Sequence, residues 1–202
     1  DGRPVWGAVF NHDGRLVLTA GHDERAGIWD AATGKNLHWL MPTEMRKAAI
    51  NAAVFNVTGS LVATASDDGT VRLWDVASGR QLGAPLLHDD QVVSVAFHPS
   101  GDDLVSGSIS GTLRFWRVSD HALLDIWYVH DGQAVRTIAF DHKGERMVTA
   151  SDDRTAHVWP IQTDRSRLLQ DAFATGRQIC RRTPGTPAWS DVWRWCPPDL
   201  AE

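Results

Sequence analysis

Two aromatic rulers run along this chain with identical gradations. Phe10, Phe55, Phe97 and Phe140 are separated by 45, 42 and 43 residues, and Trp29, Trp74, Trp116 and Trp159 by the same three intervals. Two independent series do not coincide by chance, so the chain is an array of self-similar units, each about 43 residues long. Each Phe closes an apolar stretch and is followed four residues later by a glycine, at Gly14, Gly59, Gly101 and Gly144. The intervening residues, such as Asn11-His12-Asp13 and His98-Pro99-Ser100, are turn formers, and the glycine supplies the positive φ that such turns need.

A second short apolar run follows every turn: Leu16–Ala20, Leu61–Ala65, Leu104–Ser108 and Met147–Ser151. A third run ends on the Trp, as in Thr70-Val71-Arg72-Leu73-Trp74. Strand side chains alternate between faces, so Val71, Leu73 and Trp74 cannot share one face, and this strand must be buried on both sides. A fourth strand is expected at Asn36–Leu40, Gln81–Leu87, Ala122–Val129 and Arg167–Phe173. Four strands joined by short connections make an antiparallel up-and-down sheet. Such a sheet, apolar on both faces, is too small to stand alone and must stack on copies of itself. Radial stacking gives an all-β fold, a β-propeller with four-stranded antiparallel blades.

The units resemble the WD-repeat family. The dipeptide stands at Trp29-Asp30 and Trp74-Asp75, whereas the third and fourth units have Trp116-Arg117 and Trp159-Pro160. The resemblance implies a buried hydrogen-bonded set in each blade: the Trp, a strand hydroxyl, a turn Asp and a His before the first strand. The hydroxyl position holds Thr19, Thr64, Ser106 and Thr149; the turn position holds Asp23, Asp68, Ser110 and Asp153. The third unit thus departs from the pattern at Ser110. The histidine position is filled by His88 and His130 in the third and fourth units only.

On this reading residues 1–172 form four blades, about 1–44, 45–87, 88–129 and 130–172. Residues 173–202 form a Trp-, Pro- and Arg-rich tail with a short helix beginning at Thr186-Pro187. Family propellers usually have seven blades, so four imply a partial or open propeller with an apolar face at each end. The Asp1-Gly2-Arg3-Pro4 opening and the Cys-Arg and Thr-x-x-Trp pattern of the tail resemble the C-terminal part of a larger bacterial WD-repeat protein.

Charge and cysteine content narrow the function. Twenty basic against 25 acidic side chains leave a net charge of −5, without the concentrated positive field that nucleic acid requires. The chain has no apolar run of bilayer-spanning length, so no membrane partner is expected. Two cysteines, Cys180 and Cys196, lie only in the tail, which favours a reducing cytoplasm over a disulfide scaffold. They have no nearby histidine, so no zinc site is expected there. Four His-Asp pairs, His12-Asp13, His22-Asp23, His88-Asp89 and His130-Asp131, imitate metal hydrolase ligands. The repeat accounts for them as equivalent strand connections, and no phosphate-binding loop, zinc helix or nucleophile elbow accompanies them. Neither catalysis nor a cofactor is expected.

What remains is binding. In the family, partners dock on the face bearing the loop into the first strand and the turn before the third. The resemblance places Trp6, Asn51 and Arg136 there, four residues before the Phe, with Pro4, Ala49, Val93, Gln91 and Ala134 beside them. His22, Asp67, Ile109 and Asp152, each preceding the turn position, complete the set. The expected function is a non-catalytic protein-interaction module, a scaffold or sensor in a signalling protein. The alternative is a self-association module whose end blades close a ring with another chain.

Overall fold

The computed structural model describes residues 4–22, 24–42 and 48–161. The chain divides into two units, Asp1–Trp159 and Pro160–Glu202, and all but the last two described residues belong to the first. The expected tail helix, the strand at Arg167–Phe173, both cysteines and Asp23 lie outside the described residues.

Among the described residues, fifteen strands form four antiparallel sheets in chain order. The first contains β1 (Val5–Phe10), β2 (Leu16–Gly21), β3 (Ala26–Asp30) and β4 (Asn36–Leu40). The second contains β5 (Ile50–Phe55), β6 (Leu61–Ser66), β7 (Thr70–Asp75) and β8 (Gln81–Leu87). The third contains β9 (Val92–Phe97), β10 (Asp103–Ser108), β11 (Thr112–Arg117) and β12 (Leu123–Tyr128). The fourth shows β13 (Val135–Phe140), β14 (Arg146–Ser151) and β15 (Ala156–Pro160). The architecture is a propeller of four blades, each a meander of neighbours paired in sequence. The expected strands differ from those observed by a residue at their ends, as at β12, expected over Ala122–Val129 and observed over Leu123–Tyr128.

Local chemistry builds the turns. Asn11 and Asn56 each accept a hydrogen bond on the side-chain oxygen from the backbone N–H five residues on, at 2.9 and 3.0 Å. The following glycines sit at φ between 70° and 82°, a region closed to most side chains. The Asp of the Trp-Asp dipeptide closes the turn between the third and fourth strands. Asp30 accepts from the Thr33 N–H and hydroxyl at 2.7 and 2.6 Å, and Asp75 does the same with Ser78 at 2.8 and 2.5 Å. Those bonds hold both carboxyls below their ordinary pKa.

The core lies between blades. Leu18, Ala20, Ile28 and Leu40 of the first blade pack against Ile50, Val62 and Trp74 of the second. Ala65, Val71 and Leu73 of the second meet Val92, Leu104 and Trp116 of the third. β7 is buried on both faces from Thr70 to Trp74, as the non-alternating pattern requires. Large fully buried side chains, each worth about 1.5–3 kcal/mol relative to exposure, therefore hold blade to blade.

Candidate functional site

Inside every blade the indole N–H donates to the strand hydroxyl ten residues earlier. Trp29 reaches Thr19 at 2.8 Å, Trp74 reaches Thr64 at 3.0 Å, Trp116 reaches Ser106 at 2.8 Å and Trp159 reaches Thr149 at 2.9 Å. Blade four extends the set. His130 places Nε2 2.7 Å from the Thr149 hydroxyl and Nδ1 2.7 Å from an Asp153 carboxylate oxygen. A carboxylate can only accept, so Nδ1 carries a proton and donates it to Asp153. Burial works to raise the Asp153 pKa, but hydrogen bonds from Thr155 and His130 outweigh it and pull the carboxyl down to about 2.

Blades two and three solve the same problem differently. In blade two Asp68 is met by Arg72, whose guanidinium donates to it at 2.7 Å and also reaches the Thr70 hydroxyl. Both side chains of this ion pair are only 3% exposed. Burial raises the Asp68 pKa, yet hydrogen bonds from Thr70 and Arg72 and the guanidinium charge leave it below the ordinary value. In blade three His88 Nε2 lies 2.6 Å from Ser106, but with Ser110 at the turn position its buried Nδ1 has no partner among the described residues. Ser110 instead shares a hydroxyl contact with Ser108 at 3.0 Å, and Ser108 accepts from the Thr112 N–H to close the turn. Arg114, two residues before the Trp like Arg72, reaches out to Asp89 at 2.5 Å and to the Leu87 carbonyl. The arginines were the signal that sequence reasoning passed over. Arg72 and Arg114 share one register position, where blades one and four carry Gly27 and His157.

Burial, followed by the nearby Arg114 charge, pushes the His88 pKa down from 6.5 to about 3, against an opposing pull from Asp89. The unfolded chain binds a proton below about pH 6.5 that the native state refuses. The contribution is present above that pH and is lost progressively as pH falls toward 3. Linkage puts the loss at up to about 2 kcal/mol between pH 7 and pH 5, above the range where carboxylates titrate. Urea midpoints at the two pH values check this: the wild type should drop more than His88→Gln, and equal drops would show that His88 is not held neutral.

The start of each first strand, beside the turn before the third, carries the second group of residues. In all four blades the pairing of first and second strands slips by one residue at the same place. The register jumps from Val5 to Gly7, Ile50 to Ala52, Val92 to Ser94 and Val135 to Thr137. The residues left opposite no partner are Trp6, Asn51, Val93 and Arg136, four before each Phe. A bulge re-aims a side chain and ends regular pairing. Three of these residues then meet the turn residue across the hairpin. The rings of Trp6 and His22 lie 6.3 Å apart, Asn51 donates to Asp67 at 2.6 Å, and Arg136 grips Asp152 through two bonds of 2.9 and 2.6 Å. A backbone link from the turn residue's N–H back to the start of the first strand is common to all four blades, at His22–Pro4, Asp67–Ala49, Ile109–Gln91 and Asp152–Ala134 (2.9–3.2 Å). Trp6 is 59% exposed, whereas Asn51 is half-buried and also donates to the Val92 carbonyl of the next blade. The Arg136–Asp152 hydrogen bonds raise the arginine pKa and lower that of the aspartate.

The four His-Asp pairs do not occupy equivalent connections, contrary to expectation. His12-Asp13 lies in the turn after β1 and His22 in the turn after β2, while His88-Asp89 and His130-Asp131 lie between blades. The pairs are scattered because a blade has three kinds of polar turn, each able to host the dipeptide. His130, Asp153 and His157 each bring one possible ligand atom within 4.8 Å of the others. Both His130 nitrogens are already engaged, so an ion would have to displace the bonds on which blade four is built.

The family model described as WD domain, G-beta repeat matches residues 1–30, 43–75, 82–117 and 122–160. The chain belongs to the WD-repeat family. No curated protein matches it. WD-repeat propellers are typically protein-interaction modules and are generally non-enzymatic. Among the described residues no helix is long and apolar enough to cross a membrane.

Proposed function

We propose that this WD-repeat chain is a non-catalytic protein-docking module, working through the rim formed by Trp6, His22, Asn51, Asp67, Gln91, Ile109, Arg136 and Asp152. The observation that supports it is the bulge shared by all four blades, which turns one side chain per blade out of regular pairing beside a turn residue. Trp and Arg are the residue types that most often dominate interface energy. The Asp152 carboxylate holds the Arg136 guanidinium in one orientation, which lowers the entropy lost on binding. We further propose that the blades run 1–44, 45–87, 88–129 and 130–172 with a separate tail at 173–202. The setting we infer is a larger cytoplasmic bacterial signalling protein, in which the module acts as scaffold or sensor.

Affinity capture with wild type, Trp6→Ala and Arg136→Ala, read quantitatively by mass spectrometry, tests the rim. A specific partner should be recovered about tenfold less or worse with each variant, since a buried anchor contributes on the order of 2 kcal/mol. Melting temperatures should stay unchanged, because Trp6 is exposed and the Arg136 pair lies at the surface. Equal recovery with both variants would sink this surface.

A further inference from the structure

In blades two and four the two oxygens of the turn aspartate divide the work. Oδ1 of Asp68 and of Asp153 closes the turn, accepting from the N–H and hydroxyl of Thr70 and of Thr155 at 2.6–3.0 Å. Oδ2 serves the interior: it accepts from Arg72 at 2.7 Å in blade two and lies 2.7 Å from His130 Nδ1 in blade four. The arginine position before the Trp and the histidine position before the first strand therefore address the same carboxylate oxygen from different sides.

Blade three fills both positions at once, with Arg114 and His88, and puts the shorter Ser110 where the aspartate stands in its neighbours. Ser108 takes over the work of Oδ1. Its hydroxyl accepts from the Thr112 N–H at 3.1 Å and meets the Thr112 hydroxyl at 2.7 Å. Among the described residues no side chain takes over that of Oδ2, and Arg114 Nε and His88 Nδ1 are buried without a hydrogen-bond partner. Arg114 is only 9% exposed, and its charge is felt at His88. The Nε–H can only donate, and Nδ1 donates whenever it carries a proton. Charge is unbalanced as well. Asp68 is buried with Arg72, whereas Asp89, which meets Arg114, is almost fully exposed and screened by water.

We propose that blade three binds a monatomic anion, chloride in ordinary salt, between Arg114 Nε and His88 Nδ1, at the point that the aspartate Oδ2 takes in blades two and four. The occupant of this point has to accept hydrogen bonds, carry negative charge beside a buried guanidinium and be a single atom. A halide meets all three conditions. A carboxylate or phosphate brings further oxygens to a place Ser108 already serves, and water brings no charge. Arg114 and Asp89 are the charged groups that act on His88. An anion at Nδ1 offsets the burial and the guanidinium charge that keep the ring neutral, so chloride and a proton bind together. The site lies inside blade three and is independent of what the rim binds.

Melting of the full chain at pH 5 and pH 7, in sodium chloride and in sodium gluconate of equal ionic strength, tests the site. Chloride should raise the melting temperature saturably by about 2–4 °C, and more at pH 5 than at pH 7. Ser110→Asp supplies the acceptor oxygen covalently; it should melt above the wild type in gluconate and lose the chloride response. Wild-type crystals grown in bromide give a readout that does not depend on the variant, an anomalous peak between Arg114 Nε and His88 Nδ1. Equal melting in the two salts, a chloride response that survives in Ser110→Asp, or a water molecule in place of bromide at that point would each overturn the proposal.

Discussion

Arg72→Ala is expected to lower folding stability by about 3–5 kcal/mol, the cost of stranding one partner of a buried ion pair. Asp68 would keep its bonds from Thr70 but lose the guanidinium that offsets its burial, with both side chains 3% exposed in the wild type. Chemical denaturation monitored by tryptophan fluorescence gives the value. Arg114→Ala is the control: it occupies the same register position, but its partner Asp89 is 91% exposed, so the aspartate returns to water without penalty. The Arg114 change should therefore cost much less. Equal losses from the two would mean that burial of the carboxylate is not what makes Arg72 important.

Trp74→Ala should cost about 3–5 kcal/mol, the usual range for deleting a large buried aromatic. Trp74 is 2% exposed and lies in the cluster joining the first two blades, so the cavity opens at a junction rather than within one sheet. Blades contact mainly their neighbours, so a weakened junction also loosens the blade before it. Trp74→Phe separates bulk from hydrogen bonding. It retains most of the apolar contact but loses the indole N–H that donates to Thr64, and should cost about 1–3 kcal/mol. Trp159→Ala should be milder than Trp74→Ala, because that indole is only half-buried. Thermal or urea unfolding of the three variants tests the ranking, and an equal loss for Trp74→Ala and Trp159→Ala would contradict it.

Much of the blade chemistry was legible in the chain because it is local and periodic. The family resemblance implied a bond between each Trp and the hydroxyl ten residues before it, and all four pairs are hydrogen-bonded. Ser110 was visible as a departure, but its consequence, an unpartnered His88 nitrogen, was not. The substitution of a histidine by Arg72 was also invisible, because the arginine approaches Asp68 from a different strand position. The rim residues could be named from the family resemblance. That Trp6, Asn51, Val93 and Arg136 are bulged could not, since a bulge depends on how two strands share one turn of hydrogen bonding.

By itself the amino-acid order determined the repeat, the strands, their turns and the hydrogen bonds across neighbouring strands, all of which depend on residues within one unit. Only the tertiary structure decided which apolar side chains are dry. Val5, Val92 and Val135 are the same residue type at the same position in their strands, yet one is 63% exposed and two are fully buried. Burial belongs to the neighbour that covers a side chain, and a repeat pattern specifies the side chain without specifying the neighbour.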